Sequence, residues 1–270
     1  MALPPFVPNV SDETRQAILQ ELSGIEAEHG VRILFAIESG SRAWGFPSPD
    51  SDYDVRFVYA HPVDWYLTLT PGRNVIERPI NDDLDIGGWD IRKALNLLLK
   101  PNPVMLEWLS SPIRYVWNCK VSEQLIALSG KTAYASACVH HYLHLGETQW
   151  RQNIGNRTRV SLKKYFYVLR PALAIRWVRL NPDRAPPMNI QAMSNGLDLD
   201  GATLNEIARL LVTKATAKEA DEGNRVLLLD RLIQDEFAYA RTSPKQRKQQ
   251  GIIDEANRLF QRIVRESEIH

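Results

Sequence analysis

The chain has 270 residues, of which 44% are apolar and 24% charged, and its formal net charge is +1. This composition is ordinary for a globular protein and does not indicate disorder, and the length allows one large or two small domains. Apolar runs never approach the roughly 20 residues that a membrane helix needs, so we expect a cytoplasmic protein with no membrane partner. Cys119 and Cys138 have no metal-ligand spacing and are expected to be buried, reduced thiols.

The small net charge hides an asymmetry between the two halves of the chain. Residues 1–118 contain 10 Lys and Arg against 16 Asp and Glu, whereas residues 119–270 contain 23 against 16. Within residues 151–184, nine basic residues accompany a single acid, Asp183. An acidic half suits metal binding and a basic half suits phosphate or nucleic acid, although a solvated helix face explains any one arginine equally well.

The elements predicted in the first half alternate between helices and strands. Ser11 is a typical N-cap for a helix that ends near Gly30. Five apolar runs predict strands: Val31–Ile37, Val55–Ala60, Val75–Ile80, Leu84–Gly88 and Ile113–Trp117. A further helix is expected at Ile91–Lys100. This alternation predicts an α/β (α+β) architecture with a small mixed sheet.

A Gly-Ser turn follows the first strand, and two aspartates open the second. Because residues i and i+2 of a strand project from the same face, we expect Asp52 and Asp54 to lie side by side. Adjacent carboxylates repel unless a cation lies between them, and Mg²⁺ binds one or two carboxylates together with phosphates. Gly40, Ser41 and Arg42 are candidate phosphate ligands. The D-x-D pattern alone is weak, and a solvated surface turn is the alternative interpretation.

Beyond residue 118 the periodicity is helical, so we place a boundary there and expect domains at 1–118 and 119–270. Six helices are predicted: Ser122–Leu128, Thr132–Arg151, Asn156–Arg179, Thr203–Ala217, Arg225–Tyr239 and Ile252–Arg265. Lys163, Tyr167 and Arg170 share one face of the third helix and are candidates for contacts with a triphosphate and a base. Lys164 is the alternative to Lys163, and a solvated basic helix is the alternative role. Pro171 should kink or break this helix.

A resemblance to the DNA polymerase β-type nucleotidyltransferase superfamily rests on the pattern G-S-x(10)-D-x-D, formed here by Gly40, Ser41, Asp52 and Asp54. The chain also resembles a bacterial branch that includes RNA-repair-associated, RNA-ligase-linked nucleotidyltransferases, through GSRAWGFPSPDSDYDVRF and GWDIRKALNLLLKPNPVMLEWLSSP. The resemblance covers most of the chain. It implies a palm-like catalytic domain followed by an α-helical nucleotide- and acceptor-binding domain.

The resemblance also implies a reaction of the EC 2.7.7 type, in which a nucleoside monophosphate passes from an NTP to an acceptor hydroxyl and pyrophosphate is released. Mg²⁺ or Mn²⁺ is the implied cofactor. Family members place a third carboxylate on a strand beside the metal pair, and Asp85 fits as metal ligand or base. Asp90 is its competitor, although its position suits a helix N-cap.

An RNA 3′ end is the acceptor that the branch resemblance favours. A protein side chain and a small-molecule alcohol are the alternatives for the same chemistry. A non-catalytic module that binds nucleotide or RNA is the alternative from a different class. The sequence gives no indication of base preference or oligomeric state.

Overall fold

The computed structural model describes residues 2–70, 72–80, 83–100, 102–132, 134–216, 222–244 and 252–266, without the side chains of residues 134–137, 163 and 216. The chain divides into two compact units that are interleaved along the sequence. We call them the sheet unit (Pro8–Arg42, Asp52–Thr132 and Lys248–His270) and the helical unit (Met1–Val7, Ala43–Ser51 and Ala133–Arg247).

A mixed five-stranded sheet is the framework of the sheet unit. Its strands are β1 (Arg32–Glu38), β2 (Tyr53–Ala60), β3 (Val75–Glu77), β4 (Leu84–Asp90) and β5 (Arg114–Trp117), in the spatial order β3-β4-β2-β1-β5. β2 and β4 run parallel, and the other neighbouring pairs are antiparallel. All five predicted strands are present, and the predicted α/β class with a mixed sheet is confirmed.

Helix α1 (Asp12–His29) supplies apolar side chains that cover one face of this sheet. Ser11 caps its first turn by accepting a hydrogen bond from the Thr14 amide, and Gly30 ends it in the left-handed region. Ile18, Leu22 and Ile25 of α1 join a buried cluster that includes Val55, Phe57 and Tyr59 of β2. Since side chains alternate along a strand, the intervening residues of β2 project from the opposite face.

Six further helices belong to the sheet unit within the described residues: α2 (Gly40–Ala43), α3 (Val63–Tyr66), α4 (Ile91–Leu99), α5 (Pro103–Leu109), α6 (Cys119–Ser129) and, near the chain's end, α12 (Ile253–Glu266). α6 packs against β1 and α5, and α12 packs against α4 and α6. Both helices therefore belong with the sheet, so the observed division differs from the single boundary expected after residue 118. Cys119, expected to be buried, is exposed at the start of α6, whereas Cys138 is buried.

The helical unit is built around one buried helix. Its described elements are α7 (Tyr134–Asn153), α8 (Leu162–Leu180), α9 (Ile190–Asn195), α10 (Gly201–Thr216), α11 (Leu227–Thr242) and a strand pair, β6 (Arg159–Ser161) with β7 (Glu222–Asn224). α8 packs against both α7 and α11. It begins later than predicted because Val160 pairs with Gly223 in the strand pair. Pro171 lies inside α8 and does not break it.

Residues 43–51, which follow the Gly-Ser turn in sequence, pack within the helical unit. The Trp44 carbonyl accepts a hydrogen bond from the Ile190 amide at 2.8 Å, and the Gly45 carbonyl accepts one from the Gln191 side chain at 2.5 Å. Phe46 stacks on Phe166 of α8 with ring centroids 4.8 Å apart. The chain thus leaves the sheet unit after Arg42, is anchored among helices, and returns at Asp52.

None of the helices in the described ranges combines the length and apolar character needed to cross a membrane.

Candidate active site

Gly40 brings the backbone of the turn next to the second strand. It follows the buried strand β1 and opens the short helix α2, with φ at +57°. A Cβ atom at this position would collide with the carboxylate of Asp54. Both the backbone conformation and the missing side chain therefore require glycine here. The close approach leaves the start of α2 directly beside an acidic group.

Asp54 and Asp85 are brought together by strand pairing. They occupy paired positions on the parallel strands β2 and β4. The guanidinium of Arg56 lies with them: its Nη2 is 2.6 Å from Asp85 Oδ2 and 3.3 Å from Asp54 Oδ1. A cation therefore occupies the space between the two carboxylates and offsets their repulsion.

Burial raises the pKa of the Asp54 carboxyl above its ordinary value. The guanidinium of Arg56 lowers that pKa, and the charges of Asp85 and Asp52 raise it further. Each additional cation near Asp54 therefore stabilises the ionised form of its carboxylate.

Asp52 lies just before β2 and is exposed. Its backbone carbonyl accepts a hydrogen bond from Arg42 Nε at 3.2 Å. Within the described ranges, no three side chains of His, Cys, Asp or Glu are grouped closely enough to hold a metal ion together. Strand pairing brings Asp54 next to Asp85, and the charge of Asp52 also acts on Asp54. The expectation that Asp52 and Asp54 hold a metal ion, with Asp85 as the third carboxylate, stays a prediction.

Asp90, the alternative to Asp85 as third carboxylate, acts as the helix N-cap that its position in the sequence suggested. It is fully buried and caps α4 by accepting a hydrogen bond from the Arg92 amide at 2.8 Å. Its second carboxylate oxygen accepts a hydrogen bond from the Tyr66 hydroxyl at 2.6 Å. With both oxygens engaged in this way, Asp90 supports the helix, and Asp85 is the acid that faces Asp54.

The other residues of the turn are nearly buried. Arg42 donates to the backbone carbonyls of Asp52 and Asn9 and lies 3.8 Å from the centre of the Tyr53 ring. Ser41, like Arg42, is 8% exposed. These contacts hold the Gly-Ser turn against the segment that carries Asp52. Phosphate binding by Ser41 and Arg42 stays a prediction.

The predicted nucleotide-binding residues of α8 differ in exposure within the helical unit. Arg170 is 3% exposed; its Nε donates to the Met188 carbonyl, and its guanidinium lies 4.7 Å from the centre of the Trp44 ring. Tyr167 is partly exposed and meets the same Trp44 ring edge to face. The side chain of Lys163 lies outside the described residues, whereas its alternative, Lys164, is exposed.

Glu38 is a buried acid beneath the site that the sequence analysis did not single out. Its Oε1 accepts a hydrogen bond from the Asp54 amide at 2.9 Å, and its Oε2 accepts one from the Tyr115 hydroxyl at 2.5 Å. Burial raises the pKa of Glu38 to about 7, despite the opposing effect of the Tyr115 hydrogen bond. The available signal was an acid at the end of an apolar strand, two residues before Gly40.

The donor set of this site fits a hard divalent cation. Carboxylate oxygens of Asp54 and Asp85 are the ligands that Mg²⁺ prefers, and Mg²⁺ commonly uses one or two carboxylates with substrate phosphates. Arg56 already shows that a positive charge is accommodated between them. Because Gly40 has no Cβ, the backbone of the turn can lie close to the Asp54 carboxylate.

A mixed sheet with paired carboxylates beside a Gly-Ser turn is the arrangement expected of a polymerase β-like nucleotidyltransferase. The chain matches RlaP, described as the RNA repair pathway DNA polymerase beta family, over residues 14–262. Because this match spans most of the sequence, the chain belongs to that family.

Two known proteins show how far the similarity extends. The chain is 40% identical over 254 residues to the uncharacterized protein YcgL of Bacillus subtilis (strain 168), which covers 93% of this chain and 97% of that protein. A crystal structure of a nucleotidyltransferase-like protein from Exiguobacterium sibiricum 255-15 aligns over 93% of this chain and 91% of that one, at 14% identity and a TM-score of 0.29. That structural likeness is too low to bear on the site or its chemistry.

Proposed function

We propose that this protein is a divalent-metal-dependent nucleotidyltransferase that moves a nucleoside monophosphate from an NTP to the 3′ hydroxyl of an RNA. The observation that carries the proposal is the pairing of Asp54 with Asp85 on parallel strands. Their side chains are 30% and 36% exposed, so both are within reach of a substrate. Membership of an RNA repair family supports RNA as the acceptor.

Asp52 and Asp54 would hold the metal, with Asp85 as the third acid beside them. A bound Mg²⁺ or Mn²⁺ would neutralise phosphate charge and favour in-line displacement. The amides at Gly40 and Ser41, with the Arg42 guanidinium, would hold the β- and γ-phosphates. Most of the catalysis would come from positioning and charge neutralisation.

Asp85 is the proposed base for the acceptor hydroxyl. The hydroxyl oxygen would attack the α-phosphorus while the bond from that phosphorus to the β-phosphate oxygen breaks, and pyrophosphate leaves. The hydroxyl proton would pass to Oδ1 of Asp85, because Oδ2 already accepts a hydrogen bond from Arg56. Arg56 would in this way orient the base while offsetting the charge of its neighbour.

The helical unit would contribute to nucleotide binding through α8. Lys163, or Lys164 in its place, is proposed for the triphosphate and Tyr167 for stacking on the base or ribose. Arg170 is nearly buried, so we propose that it acts indirectly, by holding the Trp44 ring that also contacts Tyr167.

Label transfer is the experiment that tests the proposal. Each α-labelled NTP is incubated with Mg²⁺ and a single-stranded RNA, and both labelled RNA and released pyrophosphate are measured. We expect label on the RNA with the native protein, and a loss of about a thousandfold in Asp54→Asn, since the metal site is the main source of charge stabilisation. Asp64→Asn, at an exposed acid of α3 in the same unit, is the matched control and should retain full activity.

The two readouts separate the alternatives. Pyrophosphate release without labelled RNA would retain the transferase and reject the RNA acceptor, which leaves a protein side chain or a small alcohol. Absence of both products, with every NTP and acceptor class tried, would reject the enzyme in favour of a binding module.

A further inference from the structure

The basic residues of segment 151–184 fall into two groups within the helical unit. Towards the end of the segment, Arg176 and Arg179 form ion pairs with the buried carboxylate of Glu236. Towards its start, Arg157 and Lys164 are exposed, and neither side chain has a hydrogen-bond or ion-pair partner within the described ranges. Exposed cationic charge therefore lies on either side of β6 at the start of the segment, as it also does at Arg184 near its end.

A cavity of about 750 Å³ opens next to β6 in the same unit. Its wall is formed by the first residue of α8, by β7 and the two residues after it, by the start of α11, and by α10. Antiparallel pairing places Arg159 of β6 opposite Asn224 of β7, which lines the cavity. Arg157 precedes Arg159 by two residues and Lys164 follows the lining residue Leu162 by two, so both are close to the cavity in sequence and lie outside its wall.

Arg225 lines the cavity, and its guanidinium is held in place by contacts within the helical unit. Its Nε donates to Asp230 Oδ2 at 2.8 Å, its Nη1 donates to the Gly155 carbonyl at 3.1 Å, and the guanidinium lies 5.3 Å from the centre of the Trp150 ring. Proteins use such a guanidinium plane to stack on nucleobases. Because it is already held in place, little side-chain entropy would be lost when a base binds.

The remaining wall suits a neutral, planar group with a polar edge. Leu227 is 75% exposed and offers an apolar surface, while the side-chain amides of Asn205 and Asn224 each offer donors and an acceptor. The one acid of the wall, Glu206, is paired with Arg209 at 2.8 Å. Paired charges of this kind favour a base over a triphosphate.

We propose that this cavity binds a nucleobase of single-stranded RNA, and that Arg157 and Lys164 contact the phosphates on either side of that base, which leaves Lys163 for the NTP triphosphate. The inference rests on the proposed function in that the RNA bound here is the acceptor. A free nucleotide carries the same base, but exposed cations that lie outside the cavity, before and after β6, match a phosphate chain that extends beyond it.

Fluorescence anisotropy of a labelled single-stranded RNA of about ten nucleotides, with the full chain and without NTP, tests the proposal. Asn205→Ala/Asn224→Ala should weaken RNA binding about tenfold and leave its salt dependence unchanged, because only base contacts are lost. Arg157→Ala/Lys164→Ala should make the slope of log K against log salt shallower by about 1.4, since two phosphate contacts to a single strand are lost. Arg225 is left intact because it neutralises Asp230.

The control variant is Arg258→Ala/Arg262→Ala, which removes the same charge from exposed positions on α12 of the other unit. An equal change of salt slope in this control, or unchanged RNA affinity in the double asparagine variant, would overturn the inference. A third contrary result combines two observations. A mononucleotide would compete for the cavity with the same affinity in native protein and in Arg157→Ala/Lys164→Ala, and an abasic RNA would bind as well as the intact RNA.

Failure of the proposed function would look different. RNA binding that depends on Asn205 and Asn224, without label transfer to RNA, would reject the RNA nucleotidyltransferase and leave the binding site in place. Label transfer whose KM for RNA does not change in the asparagine variant would retain the enzyme and reject the site.

Discussion

The acids of the sheet unit and the bases of the helical unit look equally concentrated in the sequence, yet in the fold they differ in exposure and in pairing. Asp54 and Asp85 meet across paired strands and remain about a third exposed. Several bases of the helical unit are partnered within that unit instead: Arg176 and Arg179 with Glu236, and Arg225 with Asp230. Charge density in a sequence therefore predicts a ligand site only where the fold leaves the charged groups exposed, as it does for Asp54 and Asp85 although both also contact Arg56.

This contrast has a physical origin. A guanidinium on a long stem reaches a carboxylate on a neighbouring helix, so helix packing readily pairs such groups. Short aspartate side chains on adjacent strands are fixed near one another by the register, and repulsion between them persists until a cation arrives. In this chain the guanidinium of Arg56 lies between the two carboxylates and supplies such a cation.

After Asp54→Asn, Gly40→Ala should produce the largest effect, and it tests the acidic site directly. The new Cβ would press on the Asp54 carboxylate and would also force a left-handed backbone on alanine. We expect nucleotide transfer to fall by at least about a hundredfold, because small misplacements of reacting groups have large effects on rate. We expect an accompanying loss of stability of about 1–2 kcal/mol.

Gly30→Ala separates the two causes, since Gly30 has a similar φ of +59° and open space where its Cβ would lie. It should lose comparable stability in urea unfolding and retain full transfer activity. Equal activity losses in the two variants would mean that backbone strain, and not the contact with Asp54, limits the reaction.

Glu236→Gln tests whether the helical unit's arginines are structural. The change leaves Arg176 and Arg179 without their buried counter-charge, and we expect the free energy of unfolding to fall by about 3 kcal/mol. Glu222→Gln, which loses only an exposed pair with Arg159, should change it by less than about 0.5 kcal/mol. Urea unfolding curves compare the two. Equal stabilities would show that these arginines do not depend on Glu236.

Two buried groups of the sheet unit should give opposing pH dependences of stability. Burial raises the pKa of Glu38 to about 7, so its contribution to stability is present below its ordinary value and is lost as pH rises from about 4.5 to 7. Burial lowers the pKa of His61 to about 4, so its contribution is present above about 6.5 and is lost as pH falls towards 4. In native protein the two slopes oppose one another.

Removing either group should reveal the slope of the other. Relative to the native chain, stability of Glu38→Gln should rise more steeply with pH between about 4.5 and 6.5, by roughly 2 kcal/mol over the window, and stability of His61→Phe should fall by a similar amount. Phenylalanine preserves the stack of His61 on Trp65, whose ring centroids are 3.9 Å apart. Parallel stability–pH curves for all three proteins would contradict both pKa shifts.

Arg170→Met should have the smallest effect of these variants, controls aside, on stability and on the KM for NTP. Because the Arg170 guanidinium is nearly buried against Trp44 and the Met188 carbonyl, we expect a stability loss of about 1 kcal/mol. The KM for NTP should rise less than about threefold, since direct phosphate contacts are worth more than this. Arg184→Met removes the same charge from an exposed position and is the control. A KM that rises at least tenfold in Arg170→Met alone, at unchanged stability, would show that Arg170 contacts the triphosphate.

The sequence by itself determined the local features of this protein. Apolar runs located β1 to β5, Ser11 and Gly30 bounded α1, and Asp90 was recognisable as the cap of α4. Each of these depends on neighbouring residues alone, through strand propensity, capping hydrogen bonds or a left-handed glycine. The Gly-Ser and D-x-D pattern pointed to the family for the same reason, because its spacing is short.

The tertiary structure decided what depends on contacts between distant residues. The register between β2 and β4 placed Asp85 opposite Asp54. The pairing of the buried strand β1 with β2 placed Glu38 where it accepts a hydrogen bond from the Asp54 amide. Packing assigned α6 and α12 to the sheet unit. Pairing of residues 159–161 with 222–224 made a strand where helical periodicity had predicted a helix. None of these follows from a local pattern, because the free energy that selects them comes from burial and hydrogen bonds between segments far apart in the chain.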